Sequence, residues 1–266
     1  MLTNFHTHST FCDGKSTAEE VVLTAIEKGF SAIGFSGHAY TDFDLSYCMK
    51  DISAYKAEIL RLKDKYKDKI QIYLGTEEDM FQPVNRNEYD YIIGSSHYSL
   101  RNGIYYPIDS SYDTSKECIS AWDNNPLAFA ENYFKSFCDY ILSRKPDIIG
   151  HFDLITKFDE RNEPLLMNSK QYNEIAEKYI TQAIKSECIF EVNTGAISRG
   201  YRTTPYPAIN LLHILRKNGA EIILSADSHS AQAIDCAFEE TKLMLKDIGF
   251  EYLRTLYNGE FVKDYL

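Results

Sequence analysis

Short apolar runs alternate along the whole chain with segments whose apolar residues recur at helical spacing. That alternation predicts repeated β-α units, hence a parallel sheet wrapped by helices. Seven runs read as buried strands: Leu2–His6, Phe30–Ser36, Ile70–Leu74, Tyr91–Gly94, Ile148–Gly150, Ile189–Val192 and Ile222–Ser225. Between them, Ser16 and Thr17 each precede a glutamate by three residues, the capping-box signal for a helix ending near Gly29. Ile52, Tyr55, Ile59, Leu62 and Tyr66 mark a second helix. Asn125-Pro126 opens a third, with Leu127, Ala130, Phe134, Phe137 and Ile141 on one stripe. Ser169 caps a helix carrying Tyr172, Ile175, Tyr179 and Ala183; Pro207 and Gly219 bracket another, and a last one runs to about Gly249. The tail from Glu251 predicts a hairpin turning at Asn258-Gly259. Residues 98–125 break the rhythm: polar and rich in Tyr and Asp, they predict a long lid or substrate loop.

Composition narrows the class. At 266 residues, with no internal repeat or composition shift, the chain predicts one domain spanning 1–266, the size of an undivided α/β barrel. A net charge of -11 and a pI near 5.1 argue against nucleic acid or an anionic membrane surface as partner. A small anionic substrate stays open, because metal ions invert the field inside a cleft. The six cysteines (Cys12, Cys48, Cys118, Cys138, Cys188 and Cys236) are scattered, and residues 1–10 carry no basic start or apolar run. Free thiols in a cytoplasmic protein is the expectation.

The candidate chemistry lies at the strand ends. In Phe5-His6-Thr7-His8, residues i and i+2 of an extended segment point to one face, so His6 and His8 aim at one point. Asp13 offers an oxygen five residues on. His38 follows the second strand, Glu77 the third, His97 the fourth, His151 the fifth, and Asp227 with His229 the seventh. In a parallel barrel those ends gather on one face, where active sites sit. His213 falls inside a helix and predicts a surface residue. Taken singly, each histidine has an ordinary explanation as a loop or capping residue; six at strand exits together predict a metal site. Mixed His and carboxylate donors without cysteine suit zinc, manganese or iron in a catalytic site, and so many ligands exceed one tetrahedral ion. Two or three divalent ions would clamp phosphoryl oxygens.

These motifs, together with Asp13-Gly14, Gly37-His38, Ser96-His97, Gly150-His151 and Asp227-x-His229, resemble the polymerase-and-histidinol-phosphatase (PHP) family over residues 5–229. The resemblance implies a distorted (β/α)7 TIM-like barrel. It also implies one ion on His6, His8, Glu77 and Asp227, a second sharing Glu77 with His97 and His151, and a third on His38, His229 and Asp13. Within the family, the segment from Glu191-Val192-Asn193-Thr194 through Arg199 to Tyr206-Pro207 resembles the histidinol-phosphate phosphatases, which implies hydrolysis of L-histidinol phosphate.

Arg161 and Arg199, in the loops after strands five and six, are the candidates to grip phosphate, with Arg101 and Arg202 in reserve. Tyr98, Tyr105, Tyr106 and Tyr112, with nearby acids, could surround a cationic amine or imidazole. Glu77 is the expected bridging carboxylate, and Asp13 or His229 the proton source for a leaving alkoxide. An amidohydrolase also uses H-x-H in a barrel, but commonly bridges its metals with a modified lysine; Glu77 at the third strand favours phosphoester chemistry. A phosphatase for phosphotyrosine or nucleotides, or a metal-dependent regulatory protein, are the remaining alternatives.

Overall fold

The computed structural model describes residues 1–167 and 169–266. Seven parallel strands form one sheet in the order β1 (Thr3–Asn4), β2 (Ala32–Phe35), β3 (Gln71–Asp79), β4 (Tyr91–Ser95), β7 (Ile148–Ile149), β8 (Ile189–Asn193) and β9 (Ile222–Ser225). The first and last strands meet past their ends. Thr7 bridges Ser228 in parallel register, the His8 N–H donates to the Ser228 carbonyl and the Ser228 N–H to that of His6, so the sheet nearly closes into a barrel. The distorted (β/α)7 TIM-like expectation holds.

The helices follow their sequence signals. Thr17, rather than Ser16, completes the capping box of α1 (Ala18–Glu27), its side chain and Glu20 exchanging hydrogen bonds with each other's backbone. Asp51 caps α2 (Ile52–Lys65), Asn125 with Pro126 opens α4 (Pro126–Arg144), and Ser169 caps α5 (Lys170–Ala183). A short turn α6 (Gly195–Ser198) precedes α7 (Ile209–Lys217) and α8 (Phe238–Ile248). Strands β10 (Tyr252–Tyr257) and β11 (Glu260–Tyr265) form the tail hairpin, turning at Asn258-Gly259 with both φ positive.

The expected irregular loop at 98–125 is mostly regular. It contains an antiparallel hairpin, β5 (Tyr98–Arg101) with β6 (Ile104–Pro107), and a helix α3 (Tyr112–Ala121) capped by Ser111. Asn102 and Gly103, both at positive φ, make the two-residue turn that the Asn-Gly pair favours. The polar composition concealed this because the hairpin is half-exposed: β5 buries only Tyr98 and Ser99, and no residue of β6 is fully buried.

The barrel interior is filled below the strand exits. Phe5, Tyr73, Tyr91, Ile93, Ile148, Ile189 and Ile223 pack together, and Leu256 of the tail hairpin joins them. Tyr91 lies across this layer and donates its hydroxyl to the Phe5 carbonyl at 2.5 Å. A Cβ at Gly75 would stand 2.3 Å from the Tyr91 ring, so glycine there makes room for the plug. Above this apolar floor, at the strand exits, buried histidines and carboxylates collect.

Candidate active site

All nine predicted donors converge. His6 and His8 flank Thr7 on the closing segment, and their ring centroids are 5.2 Å apart, as the period of two requires. Glu77, almost fully buried on β3, stands at the centre. Its Oε2 lies 3.2 Å from His6 Nε2, 3.5 Å from His8 Nε2 and 3.0 Å from His38 Nδ1. Its Oε1 faces a different pair, 3.0 Å from His151 Nε2 and 3.3 Å from His97 Nε2. Asp227 places Oδ1 3.2 Å from His8 Nε2 and 3.6 Å from His6 Nε2. Asp13 reaches His229 Nε2 at 3.1 Å with Oδ2, and His38 Nε2 at 3.7 Å with Oδ1.

These spacings fit metal ions. Two ligands each about 2.0–2.1 Å from one ion, at about 90–110° to each other, stand about 2.8–3.4 Å apart. His6 Nε2, His8 Nε2 and Glu77 Oε2 are buried and have no hydrogen-bond partner, which is costly unless a cation takes them. Among the described residues, four mutually close donor groups emerge: His6, Glu77 and His151; His6, His8 and Asp227; His38, Glu77 and His97; and His8, Asp13, His38 and His229.

Electrostatics keeps the carboxylates ionised. Burial alone would neutralise Glu77, but His6, His38, His97 and His151 outweigh it and hold its carboxyl well below the ordinary range. At Asp227 burial is likewise overcome, chiefly by Arg199 and His6. Burial and the neighbouring His229 and His38 push His8 down to about 3, so it presents neutral nitrogens.

Glu191, named above only as part of the family-like segment, has a role in the site that the sequence does not show. On β8 and fully buried, its Oε1 lies 2.6 Å from His6 Nδ1, while Oε2 accepts the His151 backbone N–H and the Asn193 amide, both at 2.9 Å. The contact takes the Nδ1 proton of His6 as its donor and so turns the Nε2 lone pair into the site. A charged residue inside the apolar run Ile189–Val192 was the available signal. Glu191→Gln should lower metal affinity about tenfold, since glutamine keeps one acceptor oxygen for three donors. Chelator competition measures this, and an unchanged affinity would remove Glu191 from the support of the site.

A cavity of about 340 Å³ opens above the histidines. Arg199 lines it, with Nη2 3.1 Å from Asp227 Oδ2 and Nη1 2.9 Å from His229 Nδ1. Arg161 does not: it sits in an exposed turn outside the cavity lining. Lys157, four residues earlier, reaches the cavity instead and pairs with Asp109 at 3.0 Å. The 3-10 turn Leu154–Thr156 swings Lys157 inward and carries the chain back out before Arg161. The two reserve arginines are occupied elsewhere. Arg101 pairs with Asp123, and Arg202 is buried over the Tyr206 ring beside Asp153 and Glu160. Tyr98 lines the cavity, whereas Tyr105, Tyr106 and Tyr112 do not. His213 is exposed on α7.

A nearly closed parallel barrel with histidines and carboxylates crowded at its strand exits is the architecture of a metal-dependent hydrolase. The chain belongs to the PHP domain family, whose profile matches residues 4–195. A protein of Schizosaccharomyces pombe named "probable histidinol-phosphatase" is 30% identical over 277 aligned residues, covering 96% of this chain and 89% of its own. The solved histidinol phosphate phosphatase of Lactococcus lactis, complexed with Zn, L-histidinol and phosphate, superposes with a TM-score of 0.73 at 20% identity. That alignment covers 98% of this chain and 99% of the other. A crystal structure from Listeria monocytogenes superposes with a TM-score of 0.79 at 20% identity, over 90% and 99% of the two chains. Among the described residues, no helix is long and apolar enough to cross a membrane.

Proposed function

We propose that the chain is a metal-dependent phosphomonoesterase that hydrolyses L-histidinol phosphate to L-histidinol and phosphate, a step of histidine biosynthesis. The observation that carries this reading is Glu77, whose two oxygens face different sets of histidines beneath a cavity lined by Arg199 and Lys157. A carboxylate so placed suits bridging two ions, and the cationic side chains beside it suit a phosphoryl group. The name borne by the fission-yeast relative supplies the substrate.

In this reading His6, His8, Glu77 and Asp227 would hold one divalent ion, and Glu77, His97 and His151 a second. His38, Asp13 and His229 would hold a third, and zinc, manganese or iron suits the donor set. When bound, the ions supply Lewis acidity that polarises phosphoryl oxygens and activates water. Arg199 orients the phosphate through its planar fork, and Lys157 adds a second positive charge. The leaving alkoxide needs a proton, and water beside His229 and Asp13, the two most exposed of the nine, is its candidate source. A cytoplasmic location fits such a biosynthetic step.

The test is turnover of L-histidinol phosphate with zinc, manganese and iron supplied separately, measuring L-histidinol and phosphate together with metal content. The expected result is stoichiometric release of both products by protein holding more than one transition-metal ion per chain. A single ion in metal-replete protein would overturn the multinuclear assignment. Turnover of other phosphate esters without histidinol phosphate would overturn the substrate.

A further inference from the structure

A carboxylate without a cationic partner stands at the mouth of the cavity. The segment after β2 folds over the β5–β6 hairpin, where the Phe43 ring stacks on Tyr105 at 4.2 Å with 14° between planes. Phe43 also meets the edge of Tyr98 at 5.0 Å. This cluster fixes the next residue, Asp44, in the cavity wall. Asp44 Oδ1 accepts the Ser46 N–H at 2.8 Å, and Oδ2 accepts the Tyr98 hydroxyl. Both donors are neutral.

The other cavity carboxylates are spoken for. Asp109 pairs with Lys157, Asp227 with Arg199, and Asp13 with His229. Among the described residues, Asp44 has no Lys, Arg or His within ion-pair distance. Its slight burial opposes charge, but the Tyr98 and Ser46 donors hold its carboxyl below the ordinary range. An ionised acid therefore faces the cavity uncompensated.

Its surroundings suit an organic cation. The rings of Tyr47 and Tyr98 line the same wall, with centroids 6.1 Å apart. Tyr47 also packs edge-on to His38 at 4.8 Å, so it spans from the donor cluster to Asp44. A molecule with its phosphoryl group at the histidines would lay the following carbons along Tyr47 toward Asp44, the amine of an amino-alcohol ester standing on the second of them. A carboxylate beside aromatic faces binds an ammonium group by charge and by cation–π attraction.

We propose that Asp44 is the specificity-determining residue of this cavity: with Tyr47 and Tyr98 it receives the protonated amine of a phosphorylated amino alcohol. The proposal rests on the phosphomonoesterase reading above and says which end of the substrate the rim reads. The phosphate floor would accept many monoesters, and the rim would favour those carrying a cation.

The test compares the wild type with Asp44→Asn on L-histidinol phosphate and on p-nitrophenyl phosphate, which has no amine. L-histidinol and its deaminated analogue serve as inhibitors of p-nitrophenyl phosphate turnover. The expected result is a loss in kcat/KM on histidinol phosphate, through KM, about tenfold larger than the loss on p-nitrophenyl phosphate. The wild-type preference for L-histidinol over the deaminated inhibitor should fall by a similar factor. Equal losses on both substrates, or none on either, would overturn the proposal while leaving the histidinol phosphatase reading intact. If the wild type hydrolyses p-nitrophenyl phosphate yet neither hydrolyses histidinol phosphate nor prefers the aminated inhibitor, both readings fall.

Discussion

Glu77→Gln is expected to lose bound metal and phosphoesterase turnover together, with kcat falling by about a hundredfold or more. One oxygen of Glu77 faces His6, His8 and His38 and the other faces His97 and His151, so the substitution weakens two ion positions at once. The Lewis acidity assigned to such a pair is worth several kcal/mol of barrier, at about 1.4 kcal/mol per tenfold in rate. Glu78 is the sharpest control, because neighbouring residues of a strand face opposite ways. On β3 it points away from the cluster and is fully buried against Arg144, two hydrogen bonds of 2.8 Å joining them, with the Tyr140 hydroxyl donating at 2.6 Å. Glu78→Gln should therefore lower stability, by about 3 kcal/mol at the low end for a buried pair, since Arg144 is partly solvated. It should keep its metal. Elemental analysis and thermal unfolding of both variants separate the two roles, and metal loss from Glu78→Gln equal to that from Glu77→Gln would mean that the bridging carboxylate is misassigned.

The parts of this molecule legible in the sequence are those that a periodicity determines. His6 and His8 share a face because side chains alternate along an extended segment, and the remaining donors follow strands whose ends a parallel barrel must gather. The helices were legible because Thr17, Asn125 and Ser169 cap them by local hydrogen bonds. What the sequence concealed depends on partners distant along the chain. Glu191 matters through His6, 185 residues away. Asp44 is held by Tyr98, 54 residues on, and Lys157 by Asp109, 48 residues earlier. Arg161 shows the same limit from the other side: its loop was placed correctly, but one turn of 3-10 helix decided that Lys157 would face inward and Arg161 outward.

Arg199→Ala is expected to lower kcat/KM by about ten- to hundredfold on both histidinol phosphate and p-nitrophenyl phosphate. Its guanidinium lines the cavity beside the donor cluster, and burial, which disfavours its charge, is outweighed by Asp227, so it is held firmly cationic. One Nη bonds Asp227 Oδ2 and the other reaches the Asp227 carbonyl and His229, which aims the fork without extra rotamer freedom. A charge-assisted contact of this kind is worth about 1.5–3 kcal/mol, which is the stated range if expressed at the transition state. Metal content should survive, because the Asp227 atom nearest His6 and His8 is Oδ1, whereas Arg199 holds Oδ2. Arg199→Lys should recover only part of the rate, since an ammonium is a point charge without the planar geometry. His213→Ala, exposed on α7, should leave both rate and metal content unchanged. Both substrates present the same phosphoryl group, so an arginine that grips phosphate must penalise both. A loss confined to histidinol phosphate would move Arg199 to the amino-alcohol end, in competition with Asp44. Loss of metal along with rate would make it a support for Asp227 rather than a phosphate ligand.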